Sequence, residues 1–339
     1  MNKVTNFNKN ISHMLALRFS FCFLLASLVL ACSPAAPNFT RIQLGQWTVN
    51  DAAFSLSGTL AVSVSQDIGI YTSQGSLEYL FQLPPPEGLW QIAWQDQTSL
   101  WVYDRYHFYY MNLSNISEAQ HKMSVAHGIR FVTASSHGLL LVTENNQVHW
   151  HAFTDQGTVK AAVTLFDYLP HVTSIGTTSG DRLYVATQQG DVWLWDKSDY
   201  KTVKHYKLDQ PVHSLVNIDQ TLYALTSESL SPLAHQSTLQ LWPLTPTHAL
   251  QPQLIENSLG ITSTFALDNR LIIGGSQNSW LSYNTETLQV QASYRQKRKP
   301  QHSSRIVAID AQGSVILMLN SQGTLQIWPK TRIFEYPQH

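Results

Sequence analysis

Cysteine is almost absent from this chain: only Cys22 and Cys32 occur in 339 residues. That excludes a cysteine cluster for metal binding. Charge is sparse too, with Asp, Glu, Lys and Arg making up 13% and a formal net charge of −1. The chain therefore lacks the basic surplus of a general nucleic-acid binder. No apolar run reaches the length of a membrane-spanning helix. The longest, Phe19 to Ala31, is about 13 residues, short of the ~20 needed to cross a bilayer. A long amphipathic helical run is missing, as are a glycine-rich phosphate loop and a nucleophile-elbow sequence. Those absences remove helical bundles and two common enzyme architectures.

Ser, Thr, Gln and aromatic residues are abundant instead, and they are arranged in a repeat. A polar turn, an alternating strand and a large terminal residue recur seven times. The clearest copies are Asp191-Val192-Trp193-Leu194-Trp195, Thr238-Leu239-Gln240-Leu241-Trp242 and Thr324-Leu325-Gln326-Ile327-Trp328. Weaker copies end at Tyr71, Met111, His151 and Tyr283. Successive ends lie about 40 to 47 residues apart, the period of four-stranded propeller blades. In the first copy, Val49–Phe54, Leu60–Val64, Ile68–Tyr71 and Leu77–Phe81 read as inner, second, third and outer strands. Turn signals at Asp96-Gln97, His137-Gly138, Gly180-Asp181, Asp219-Gln220, Asp268-Asn269 and Gln312-Gly313 each precede an apolar strand.

The segment Ala52-Ala53-Phe54-Ser55-Leu56-Ser57-Gly58-Thr59-Leu60-Ala61 resembles the inner strand, turn and second strand of WD40 repeats. The aromatic–aspartate ending of that family survives only at Trp195-Asp196. The expected fold is all-β: a seven-bladed, WD40-like propeller over residues 41–339. Tyr71, Trp195, Trp242, Tyr283 and Trp328 are expected to be structural anchors between blades, because a blade buries both faces. Propellers tie their ends together to hide strand edges. Thr40-Arg41-Ile42-Gln43-Leu44 is the expected closing strand, with Thr331–Tyr336 as the alternative.

Residues 1–31 read as a signal peptide, with Met14 an alternative start. The run ends Val29-Leu30-Ala31-Cys32, which resembles the lipobox of bacterial lipoproteins. That resemblance implies cleavage before Cys32, diacylglycerol on its thiol and acylation, palmitate in type, of the new amino group. Cys32 would then be the sole remaining cysteine, and lipidation would remove a reactive thiol from an oxidising compartment. Ser33, rather than aspartate, after the cysteine points to the outer membrane, so the expected location is its periplasmic face. Residues 32–40 would form a short tether, and net charge would move to about −4 once Lys3, Lys9 and Arg18 are lost.

Catalytic signals are thin. His149 and His151 share one strand face at a spacing two metal ligands could use, but two histidines of a polar strand are the simpler reading. His127, His171, His213 and His302 resemble the structural histidine that WD40 repeats place before the inner strand. Asp51 and Asp310 are the scattered acidic candidates for a site in the central channel. No catalytic residue, metal or cofactor is expected.

Three connections stand out: Leu83–Gly88, the blade-five loop Thr226–Gln236, and the basic run Arg295–Pro300 with Arg305 nearby. By WD40 topology they emerge on one face. Arg295, Lys297, Arg298, Lys299, Arg305, Leu230 and His235 are therefore the expected partner-binding residues. Trp90, Trp94, Trp101, Tyr103, Tyr106, Phe108, Tyr109 and Tyr110 give blade two more rings than packing requires, which suits either exposed recognition or dense core. The functional expectation is a monomeric, lipid-anchored, non-catalytic platform for envelope proteins. The alternatives are a channel-site hydrolase or lyase, or an assembly factor resembling the propeller lipoprotein of the outer-membrane β-barrel assembly machine, which has eight blades and different motifs.

Overall fold

The computed structural model describes residues 39–335, apart from 46, 116–118, 155–157, 179–181, 197–200, 219–220, 228–238, 245–252, 256–260, 288 and 295–303. The described residues form seven four-stranded antiparallel sheets. Six of them run inner, second, third, outer in chain order. Their inner strands are Asp51–Phe54, Gln91–Trp94, Ile129–Ser135, Val172–Thr177, Val212–Ile218 and Ile261–Leu267. The seventh begins with the inner strand Ile306–Gln312. Each inner strand touches the next, and Ile306–Gln312 returns to Asp51–Phe54, so the sheets close into a ring.

Period-two alternation explains why the blades stack. In Leu60–Val64, Leu60 and Val62 enter the apolar cluster shared with blade seven, while Ala61 enters the one shared with blade two. Tyr71 likewise faces blade seven, and Ile68 and Ile70 face blade two. A strand covered on both faces is apolar at nearly every position, and Leu60–Ser63 are all buried.

The aromatic ends of the repeat lie between blades. Tyr71 packs between blades seven and one, and Trp195 between three and four. Trp242, Tyr283 and Trp328 do the same at the next three junctions. Two copies differ. Trp242 sits opposite Ala224, two residues along from the usual position, which Leu244 occupies by bonding to Leu222. In blade three the terminal residue is His151, and Phe153 instead stacks on Trp101 of blade two at 5.6 Å. The ring excess of blade two is core: Trp90, Trp101, Tyr103 and Phe108 are buried, and the other four rings are partly buried.

The N-terminal strand closes the ring. Thr40–Gln43 pairs antiparallel with Thr324–Pro329 as the outer strand of blade seven. The alternative donor is not a strand. Lys330–Glu335 forms a short helix, α1, directly after Pro329. A proline lacks the N–H a ladder needs but is tolerated where a helix begins. Ile333 of α1 is then buried against the cluster between blades six and seven.

Candidate interaction surface

Antiparallel blades give the disc two unlike faces. The turns from inner to second strand and from third to outer strand lie on one, here called the turn face. The turns from second to third strand and the connections between blades lie on the other, the loop face.

The loop face is tied together by main-chain hydrogen bonds. Among the described residues, second-to-third turns, and in blade five the end of the second strand, bond to a flanking inter-blade connection. Arg105 N–H donates to Glu87 O, and Ile129 N–H donates to Arg105 O at 2.7 Å. Glu144 N–H donates to Gly128 O, and Leu169 N–H to Asn146 O. Gln188 bonds His171, Ser227 bonds Pro211, Asn278 bonds Ser304, and Ser321 bonds Arg305. The belt returns to the start where Val49 N–H donates to Ser321 O. Several turns need a left-handed residue, which glycine supplies without strain at Gly190 and Gly323. Loops held at their backbones can carry varied side chains on a fixed frame.

Blade two shows how side chains reinforce the belt. Buried Asp104 accepts from the amides of Glu87, Tyr106 and His107 and from the His107 ring. Burial alone would raise its pKa, but these bonds outweigh it and hold the carboxyl below its ordinary value. The Leu83–Gly88 connection is thereby pinned to the next turn. Arg105 then reaches across to Glu144 of blade three, with Nε to Oε1 at 2.9 Å. Leu89 and Tyr168 stand out from this face, 57% and 65% exposed.

Of the expected partner-binding residues, only Arg305 is described. Its side chain is exposed, while its main chain is bonded on both sides to Ser321. Arg295, Lys297, Arg298, Lys299, Leu230 and His235 lie outside the described residues, as do His302 and Cys32. So do the turn signals Gly180-Asp181 and Asp219-Gln220. Of the structural histidines, His213 bonds Ser227 Oγ at 3.1 Å across its blade. His127 and His171 are a correction: both are exposed, and His171 occupies a left-handed turn position at φ 57°. There the backbone, not the imidazole, makes the structural bond, to Gln188.

The histidine pair lies half-buried on one face of the third strand of blade three. His149 Nδ1 lies 3.2 Å from Thr164 Oγ1, and His151 Nδ1 lies 3.2 Å from Lys160 O. Burial pushes both imidazoles below their ordinary pKa. Among the described residues, no group of three His, Cys, Asp or Glu side chains is placed to hold a metal ion.

The channel acids are occupied by structure. Asp51 accepts from its neighbour Ala52 N–H at 2.9 Å and from Ile92 N–H of blade two at 2.8 Å. Ser174 makes the equivalent bond to Leu215 N–H of blade five, and the Tyr103 hydroxyl takes the Val132 amide of blade three. A polar side chain thus satisfies the next inner strand's amide at three junctions. This signal escapes the sequence because Asp, Tyr and Ser fill one role. Asp310 accepts from Gln312 Nε2 at 2.7 Å. Burial raises the pKa of both acids.

Asp51→Ala should cost about 2–3 kcal/mol, because it strands two amides; Asp51→Asn, which keeps an acceptor, should cost less. The folded protein also holds the Asp51 proton more tightly than the unfolded chain. Its contribution is therefore fully present below the ordinary value of 3.8 and is lost as pH rises through the raised pKa. Urea melts across that window should show this rise toward low pH in the wild type, and its reduction in Asp51→Asn.

A cavity of about 670 Å³ opens on the turn face at the channel mouth. Phe54, Leu56 and Trp94 form one side, and Ser136, His137 and Thr177 the other. Trp94 donates its indole N–H to Ala53 O. Leu56 is 83% exposed beside it.

No known protein family matches the sequence, and no curated protein matches it. Solved structures do. The β-propeller domain of Myceliophteria thermophila Cps50 (Swd1) superposes with a TM-score of 0.67 at 11% identity, covering 87% of this chain and 99% of that one. A chain of the Mitotic Checkpoint Complex gives 0.67 at 12% identity, covering 88% and 94%. At such identity the likeness bears on architecture alone. The chain is a seven-bladed β-propeller of WD40-like fold.

Proposed function

We propose that this protein is a non-catalytic interaction platform of the bacterial cell envelope, held by lipid at Cys32 on the periplasmic side of the outer membrane. The observation that carries the platform reading is the bonded belt among the described residues of the loop face, which fixes their backbone positions while leaving Leu89, Tyr168 and Arg305 outward. Preformed surfaces bind with less ordering cost than mobile ones. One structural neighbour belongs to an assembly named a complex, and the other is a propeller domain, which supports protein partners in kind but not in identity.

The occupied states of Asp51 and Asp310 weigh against a channel-site hydrolase, since each carboxylate is engaged in holding strands. The lipobox-like Val29–Cys32 and the short apolar run before it support the anchor.

The partner is expected to meet the basic run. Replacing Arg295, Lys297, Arg298, Lys299 and Arg305 with Ser or Gln should reduce partner recovery from crosslinked envelopes, read by mass spectrometry, with unchanged thermal stability. The loss should be greatest at low salt, where surface charge acts furthest. Undiminished recovery at low salt would count against this surface.

A further inference from the structure

We infer that the turn face of the disc rests on the membrane and that the loop face is directed away from it. This rests on the Cys32 anchor proposed above and adds to it the direction in which the chain leaves the ring. Thr40 pairs with Ile327 and Gln43 with Thr324. The closing strand therefore starts at the turn face, where the third strand ends and α1 begins, and runs toward the loop face.

Phe39 is fixed at that starting point. Its ring stacks on Trp328 at 3.9 Å and 14° and meets Tyr294 edge-on at 5.9 Å. The Arg41 guanidinium covers it at 4.7 Å. The chain preceding Phe39 must depart from the rim of the turn face between blades six and seven.

Chain length then favours one orientation. Cys32 is seven residues before Phe39, a reach of about 25 Å when fully extended. As a coil the same segment spans only ~15 Å. Bringing the loop face to the same membrane would require the tether to run back along a whole blade. The third strand it would have to run beside, Thr324–Pro329, measures about 20 Å. That arrangement would use up most of a nearly fully extended tether, whereas the turn face is within reach of a relaxed one.

The part of the turn face where the chain departs suits a bilayer surface of anionic headgroups. Leu56 is largely exposed on the turn face, and Arg41 and Arg332 present basic side chains at the point of departure, with Lys330 beside them. Apolar and basic side chains together are what the headgroup layer accepts. The cavity at the channel mouth would face the bilayer, and the loop face would be free for a partner.

Single-cysteine labelling tests this, because an acylated Cys32 leaves no other thiol in the mature chain. Leu56→Cys and Arg332→Cys mark the turn face; Leu89→Cys and Tyr168→Cys mark the loop face. Each lipidated variant, carrying a fluorophore, is reconstituted in phosphatidylethanolamine–phosphatidylglycerol vesicles containing headgroup-nitroxide lipid. Strong quenching at positions 56 and 332, with little at 89 and 168, is the expected result. Equal quenching at all four, or stronger quenching at 89 and 168, would overturn the orientation. An intact mass without acyl chains on Cys32 would instead refute the anchor. In that case the same variants, held to nickel-chelating lipid through a hexahistidine replacing Cys32, still report the orientation that the departure point imposes.

Discussion

Trp328→Ala should destabilise the protein by about 3–5 kcal/mol, seen as a lower urea midpoint with little change in slope. The ring is buried between blades six and seven and has three aromatic neighbours. Trp280 lies edge-on at 5.2 Å, Tyr294 at 4.9 Å, and Phe39 is stacked. Its indole N–H donates to Gln326 Oε1 at 3.1 Å. Truncation therefore opens a cavity, leaves a buried amide side chain without its donor and releases Phe39. Trp328→Phe keeps most of the volume and should recover most of the loss. If alanine cost less than about 1 kcal/mol, the site would have to collapse around the void, which a junction of two sheets resists.

Removing Phe39–Leu44 should cost about 5 kcal/mol, from ladder hydrogen bonds near 1 kcal/mol each and three partly buried side chains. Ile42 and Leu44 pack on the cluster between blades seven and one, and Phe39 packs on Trp328. The deletion also bares the edge of Thr324–Pro329, and an uncovered apolar edge recruits other chains. Light scattering should show aggregates at concentrations where a protein beginning at Phe39 stays monodisperse. That second protein, lacking only residues 1–38, should unfold at the midpoint of the longer chain. Equal stability of the two would mean that blade seven stands on three strands.

Much of the architecture can be read from residues alone. Alternating apolar positions and a terminal ring every 40-odd residues imply sheets covered on both faces, and only a closed ring covers every blade in that way. The closing strand is legible because Thr40–Leu44 repeats the pattern that precedes an inner strand. Thr331–Tyr336 was ambiguous for a physical reason: its apolar residues suit either a strand or one turn of helix. Pro329 and the burial of Ile333 favour the helix.

The surface is less legible. Asp51 stands in the sequence as an acid on an inner strand, which a channel enzyme would also have. Only its distance to Ile92 N–H shows that it holds two blades together. The exposed His127 and His171 match the spacing of structural histidines, but spacing carries no information about which way an imbedded turn directs its side chain.

The amino-acid sequence by itself determined the repeat, its period, the blade number and the residues between the blades, because those follow from local alternation and from burial on two sides. The tertiary structure decided which polar groups are spent on holding strands, how the loop face is bonded into one frame, and at which face the chain departs. Those are relations between residues about 16 to nearly 300 positions apart, such as Gln188 with His171, Asp51 with Ile92 and Arg41 with Tyr294. No local pattern encodes them; they exist only once the ring has closed.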